Sequence, residues 1–218
     1  MAIHAEITPS ILVQSNDQLS AMLARYQGFA KRLHFDISDG QFSPTVTIPE
    51  ASLRWPANIQ CNIHMMVVNP SMHLQTLLQL KPALVIFHAE AGEDLIPIFD
   101  KLHEEGIKAG VAIMKQTYPE DIEKYILAAD HVMLFTGNLG QMGGTADLLQ
   151  LEKVNLIRKI SPQVEIGWDG GANMTSVRAI LHAGVTVINV GAALATASDP
   201  EQVYRDLVAE SEKKGVLF

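Results

Sequence analysis

The chain predicts an α/β protein, a single (β/α)8 TIM barrel spanning residues 1–218 as one domain. Three observations carry that prediction. Short unbroken runs of Val, Ile and Leu alternate with amphipathic segments, the pattern of a parallel sheet covered by helices. The alternation repeats about eight times at roughly 25 residues per unit without a dominant break, which favours a closed barrel over an open doubly wound sheet. The polar clusters all follow strands, at the end of a barrel where sites are built.

The elements follow in order. Glu6–Val13 reads as the first strand. Ser15-Asn16 can cap a helix whose apolar stripe is Leu19, Met22, Leu23 and Tyr26. Residues 32–37 form the second strand, followed by a long loop and a short helix near Pro49–Trp55. Gln60–Val67 is the third, and Asn69-Pro70 offers an N-cap and an N1 proline to the helix that carries Leu74, Leu77 and Leu78. Ala83–His88 is the fourth, with a helix over about 93–105. Gly110–Met114 is the fifth, and Thr117-Tyr118-Pro119-Glu120 has the spacing of a capping box. His131–Thr136 is the sixth, followed by a glycine-rich loop and a helix over about 147–160. Val164–Trp168 is the seventh, with a helix over about 174–183. Val185–Val190 is the eighth, and Ser198-Asp199-Pro200-Glu201 opens the last helix, again with capping-box spacing.

The composition narrows the function. With 218 residues, 48% of them hydrophobic, the chain can bury a sizeable core. A net charge of −8 argues against a nucleic-acid partner. An anionic substrate would then need positive potential from backbone N–H groups. Cys61 is the single cysteine, so an intrachain disulfide and a Cys-rich zinc site are excluded, and Cys61 reads as a core residue. The first residues, Met1 to Glu6, do not read as a signal peptide, and no apolar run is long enough to span a membrane. A cytoplasmic protein without a membrane partner is expected.

The chemistry gathers around residues 33–45. His34 and Asp36 are two apart, so an extended chain points both to one face. Buried there, an imidazole and a carboxylate need hydrogen bonds, a charge partner or a metal. Asp39-Gly40 then gives a turn. His64 ends a second apolar run and Asp169 a third. A single strand histidine is more often an ordinary core residue; the argument rests on several polar groups sharing the strand C-terminal ends. Ser10, His88 and Glu90 fall there too. Two His and two Asp are enough for one divalent ion, with zinc, iron(II), manganese and cobalt all suited. Such an ion can polarise a carbonyl and its neighbouring hydroxyl, and carboxylates on opposite faces could remove and return a proton. Glycines at 137, 140, 143 and 144, at 170 and 171, and at 191 follow the last three strands. Together they suggest a phosphate grip of backbone N–H groups.

Over essentially its whole length the chain resembles the ribulose-phosphate 3-epimerase family. The resemblance rests on Pro9-Ser10-Ile11-Leu12, residues 33–45, Ile63-His64-Met65-Met66-Val67, Phe87-His88-Ala89-Glu90 and Asp169-Gly170-Gly171. It implies a metal-dependent barrel isomerase that inverts C3 of a ketose phosphate through an enediolate, D-ribulose 5-phosphate giving D-xylulose 5-phosphate. By position, His34, Asp36, His64 and Asp169 would hold the metal, with Asp36 and Asp169 as the acid/base pair. Ser10, His64, Met66, Gly140, Gly143, Gly144, Gly170, Gly171, Gly191 and Ala192 would meet the substrate, and a homo-oligomer is expected. Ser38 stands where the family usually has Met, and so does Phe135 or a near neighbour. Loop 137–144 looks one residue longer, Gly191-Ala192 replaces Gly-Ser, and Trp168 replaces a smaller apolar residue beside Asp169. These departures open the alternative of another ketose phosphate, such as allulose 6-phosphate.

Other readings remain. A metal-assisted decarboxylase, a Schiff-base aldolase using Lys115, and a sugar-phosphate binder without turnover share the scaffold. Lys115 is expected in an ion pair. His88 and Glu90 are expected to orient a ligand residue by hydrogen bonds. His4, His73, His103, His131 and His182 are expected on the surface or on helices, with no part in catalysis.

Overall fold

The computed structural model describes residues 6–213. His4 and the reading of the first five residues lie outside the described residues. Eight parallel strands close into a barrel in chain order: β1 (Glu6–Ile11), β2 (Arg32–Ser38), β3 (Gln60–Met66), β4 (Leu84–His88), β5 (Lys108–Ile113), β6 (His131–Phe135), β7 (Glu165–Asp169) and β8 (Val187–Val190). β8 returns to β1, with Glu6 level with Val187 and Pro9 with Val190. The helices outside are α1 (Asn16–Tyr26), α2 (Ser71–Leu80), α3 (Ile96–Glu104), α4 (Glu123–Ala128), α5 (Glu152–Ile160), α6 (Val177–His182), α7 (Ala192–Ala195) and α8 (Pro200–Ser211). Short 3₁₀ turns cover Glu50–Ser52, Pro119–Ile122 and Leu148–Leu151. Among the described residues no helix is long and apolar enough to cross a membrane.

Alternation along each strand sorts the side chains into two populations. One face looks out to the helices and builds the main core, with Leu33, Phe35, Ile63, Met65, Phe87 and Trp168 among its members. The other face looks into the barrel. On the β4–β6 side that interior is apolar, filled by Leu84, Ile86, Ala112, Met133 and Phe135. On β2 and β3 it is polar: Arg32, His34, Asp36 and Ser38 lie level with Gln60, Asn62, His64 and Met66. Cys61 packs in the main core as expected, and burial pushes its thiol pKa up.

The local signals fare unevenly. Ser15 caps α1, its Oγ accepting from Gln18 N–H at 3.2 Å. Asp199 rather than Ser198 caps α8, accepting from Gln202 N–H at 2.9 Å. Asn69 does not cap α2. Glu93 does so from the next loop, accepting from Ser71 N–H at 2.7 Å and from its hydroxyl at 2.7 Å. Thr117 makes no cap either; Tyr118 precedes the 3₁₀ turn without a side-chain cap, and the Thr117 hydroxyl donates to Glu90. In both cases a carboxylate from another unit outbids the local pattern.

The floor of the barrel, at the strand N-terminal ends, is an ion cluster. Arg32 donates to Glu6 at 2.9 Å and to both carboxylate oxygens of Glu165 at 3.2 and 3.1 Å. His131 Nδ1 lies 2.7 Å from Glu165 Oε2. This corrects the expectation for His131, which is a fully buried strand residue and not a surface one. Its ring fits because residue 167 is glycine: a Cβ there would run into the imidazole. Burial works against the Glu165 carboxylate, but the His131 hydrogen bond and the Arg32 guanidinium outweigh it and bring its pKa down to about 2.

Candidate active site

The opposite end of the barrel holds a second polar layer. His34 and Asp36 come from β2, His64 from β3 and Asp169 from β7. Each offers one ligand atom, and these four atoms lie within 4.8 Å of one another. His64 Nδ1 is 2.8 Å from Asp36 Oδ1 and 3.8 Å from Asp169 Oδ2. His34 Nε2 is 3.2 Å from Asp169 Oδ2 and 3.4 Å from Asp36 Oδ1. It forms no well-aligned hydrogen bond to either, so a buried nitrogen points between two carboxylates. Among the described residues no arginine or lysine is paired with this layer. The carboxylates act on the nearest imidazole instead: burial pushes the His34 pKa down, but Asp169 and Asp36 overcome it and raise it to about 9. Burial likewise opposes ionisation of Asp36, yet the two histidines hold its carboxyl below the ordinary range. The arrangement fits a divalent cation by donor type, by convergence and by its uncompensated charge.

Above this layer a cleft of about 690 Å3, including the space at its open mouth, reaches solvent. Asp36 and Asp169 line it, with Ser10, Met66, Gly140, Gly143, Gly144, Gly170, Gly171, Gly191 and Ala192. His34 and His64 do not; they sit beneath it, fully buried. Gly170 (φ 116°) and Gly171 (φ 69°) adopt backbone that a side chain disfavours. A Cβ on Gly170 would run into the backbone of Gly137, and one on Gly171 into that of Thr145 and Ala146. The two glycines thus let the loops after β6 and β7 close on one another.

The departures noted in the sequence take definite positions. Ser38 does face inward, but its hydroxyl is matched with Ser43 Oγ at 2.7 Å and both are buried. Phe135 packs against His64 and His88, with ring centroids 5.7 and 5.4 Å away, and walls the histidines off from water. Trp168 does not face the cleft. Its neighbour Asp169 points in, so Trp168 points out into the main core, and its indole N–H donates to Gly170 O at 3.0 Å. Asp39 makes the expected turn, accepting from Gln41 and Phe42 N–H at 2.8 Å each, and ties the loop to Val68 N–H at 2.9 Å.

Behind His64 runs a chain of contacts. His64 Nε2 is 2.8 Å from His88 Nε2, and His88 Nδ1 is 3.3 Å from Glu90 Oε2. Glu90 Oε1 accepts from Met114 N–H at 2.9 Å and from the Thr117 hydroxyl. Burial drives the His88 pKa down to about 4, against the pull of Glu90. Burial also opposes the Glu90 charge, but His88, Thr117 and Met114 keep its pKa low. His88 and Glu90 stand behind a candidate ligand, as their strand-end position suggested. Thr117 escaped the sequence reading because its spacing advertises a helix cap. Asn189, which also lines the cleft, was missed; it lies level with Asp169, and strand alternation could have found it. Lys115 is exposed and 3.9 Å from Asp147, so it is not the desolvated amine that a Schiff base needs.

Residues 6–195 match the model of the ribulose-phosphate 3 epimerase family. A ribulose-phosphate 3-epimerase of Schizosaccharomyces pombe is 30% identical over 212 residues, covering 94% of this chain and 93% of that protein. One from Aquifex aeolicus is 27% identical, covering 92% and 94%. A cytoplasmic isoform from Oryza sativa subsp. japonica is 29% identical, covering 94% of each. A solved 3-hexulose-6-phosphate synthase superposes with a TM-score of 0.72 at 15% identity, covering 94% of this chain and 99% of that one. At that identity the match speaks for the barrel alone.

Proposed function

The chain belongs to the ribulose-phosphate 3-epimerase family, and from that premise we propose that it interconverts D-ribulose 5-phosphate and D-xylulose 5-phosphate by inverting C3. The observation that carries this reading is the carboxylate pair. Asp36 and Asp169 both line the cleft and both lie within 3.4 Å of the same buried nitrogen of His34. Two carboxylates converging on one small volume are what proton removal and return at a single carbon require.

His34, Asp36, His64 and Asp169 would hold one divalent ion, zinc, iron, manganese or cobalt. When bound, the ion supplies Lewis-acid polarisation of the C2 carbonyl and C3 hydroxyl, which makes the C3–H more acidic. Asp36, held ionised by its histidine neighbours, takes the C3 proton. The C–H electron pair moves into the C2–C3 bond and the substrate becomes an enediolate. The Asp169 carboxyl delivers its proton to the opposite face of C3, and the centre is inverted. The reverse reaction exchanges the two roles. Phe135 and Met66 exclude water above the buried histidines. Ser10 would meet the sugar, and the N–H groups of Gly140, Gly143, Gly144, Gly170, Gly171, Gly191 and Ala192 would receive its phosphate. A cytoplasmic homo-oligomer completes the reading; one relative's name gives that location.

Ser38, Phe135 and the 137–144 loop favour a second reading, the same inversion on another ketose phosphate. The test is proton NMR of metal-loaded protein in D₂O with D-ribulose 5-phosphate, allulose 6-phosphate and unphosphorylated ribulose. Deuterium entering C3 of ribulose 5-phosphate, with xylulose 5-phosphate forming, is expected. Faster exchange with allulose 6-phosphate would move the assignment to that sugar. Equal exchange without phosphate would remove the phosphate grip, and ligand binding without exchange would leave only a binding protein.

A further inference from the structure

We propose that the barrel interior between the two charged layers binds a cluster of ordered water molecules, gathered on Thr8, Asn62 and Asn189. Strand register fixes the place. Each strand turns alternate residues inward, and a barrel of this kind stacks them in layers drawn from alternate strands. Thr8, Asn62, Gly110 and Gly167 make the middle layer. They pair with Asn189, His34, Ile86 and Met133 in the layer above. Asn62, Gly110 and Gly167 pair with Leu84, His131 and Val187 in the layer below, which Arg32 completes. Orphaned polar atoms run through all three layers. Neither amide atom of Asn62 has a hydrogen-bond partner among the described residues, and the same holds for Thr8 Oγ1, Asn189 Oδ1, His131 Nε2 and Arg32 Nε. All of these residues are buried, Asn62 to 1% exposure. An amide donates twice and accepts twice, and native interiors rarely leave such a group unpaired.

The chemistry of the set selects water. Asn62 Nδ2 and Arg32 Nε donate, Asn62 Oδ1 and Asn189 Oδ1 accept, and the Thr8 hydroxyl does either. Asn189 Nδ2 donates to Met133 Sδ at 3.3 Å, which settles that Oδ1 is the amide atom left to accept. A cation here would meet N–H donors and the Arg32 guanidinium, and an anion would meet two amide oxygens. Water donates twice and accepts twice, so it suits a mixed set. Room comes from the glycines, which send no side chain into the middle layer. The His131 ring takes up the space at Gly167, and Leu84 and Ile86 that at Gly110. Thr8, Arg32, Asn62 and Asn189 stand on β1, β2, β3 and β8, which are neighbours in the barrel. The β4–β6 side, lined by Leu84, Ile86 and Met133, offers water no partner. The waters thus join the floor to Asn189, which lines the cleft, in one hydrogen-bonded column. No group changes its protonation, and the inference does not depend on the epimerase reading.

High-resolution crystallography and ¹⁷O magnetic relaxation dispersion of the solvent test this on the full chain. The crystal should show ordered water within hydrogen-bond distance of both Asn62 amide atoms and of Thr8 Oγ1. The dispersion counts water molecules held for longer than the protein takes to tumble. Asn62→Leu fills the middle layer and removes both amide atoms, so it should lose the signal of about two waters. Thr8→Val keeps the shape and removes one hydroxyl, and should lose about one. Should Asn62→Leu fail to fold, Thr8→Val still reads the cluster. Three results overturn the proposal. The first is a crystal in which Asn62, Thr8 and Asn189 bond directly to one another with no water between them. The second is density with the short, oxygen-only coordination of a metal ion. The third is a dispersion that stays unchanged in the folded variants.

Discussion

The barrel contains two layers of histidines and carboxylates, one at each end, the floor carboxylates half-buried and the upper ones nearly buried, and they solve the same electrostatic problem differently. At the floor, Glu6 and Glu165 share the guanidinium of Arg32, and His131 completes the set. Every charge there has its partner within the chain. At the top, among the described residues, Asp36 and Asp169 face only His34 and His64. Without a cation supplied from outside, that layer draws a proton onto His34, whose pKa rises to about 9. A layer compensated from within makes structure, while a layer left short of positive charge makes a binding site. The same residue types give both outcomes, and a single arginine decides between them.

The largest expected effect breaks the upper layer. Asp36→Asn or Asp169→Asn should lower the epimerisation rate roughly 10²- to 10⁴-fold, the range for loss of a general acid or base. Each removes a charge from an uncompensated pair, so the thermal midpoint should not fall. Arg32→Met breaks the lower layer and should do the opposite. Urea titration should show a loss of about 1–3 kcal/mol, because two half-buried carboxylates lose their shared hydrogen-bonding partner, with turnover per folded molecule unchanged. A loss of activity in folded Arg32→Met would mean that the layers are coupled.

How much of this was legible in the sequence follows from the same contrast. His34, Asp36, His64 and Asp169 could be read because each stands at the end of an apolar run, and two-residue spacing fixed the face shared by His34 and Asp36. The barrel itself could be read from the same runs. His131 could not, because its role depends on lying level with Glu165 in the neighbouring strand, a register no local pattern reveals. Thr117 and Asn69 misled for a related reason. Their local spacing promises helix caps, but carboxylates from other units, Glu90 for one and Glu93 for the other, determine the hydrogen bonds. Trp168 was legible after all: alternation from Asp169 places it outside the barrel.

Two smaller effects sharpen the contrast. Chelation should abolish turnover and lower the unfolding free energy. Restoring free metal to 100 times its dissociation constant should return about 2.7 kcal/mol. The acid limb of stability should report the floor. Glu165 has a folded pKa of about 2, below its ordinary 4.5, so its contribution is fully present above about pH 4.5. It is lost as the pH falls from there through 2. Acid titration of Glu165→Gln, followed by circular dichroism, should lack that component.

The most direct test of the account is calorimetric titration of chelator-stripped protein with Zn²⁺ at neutral pH, beside folded Asp36→Asn and Glu165→Gln. The account predicts one ion per chain, lost or greatly weakened in Asp36→Asn and retained in Glu165→Gln. No binding by the wild-type protein, or binding that survives Asp36→Asn and disappears in Glu165→Gln, would contradict it.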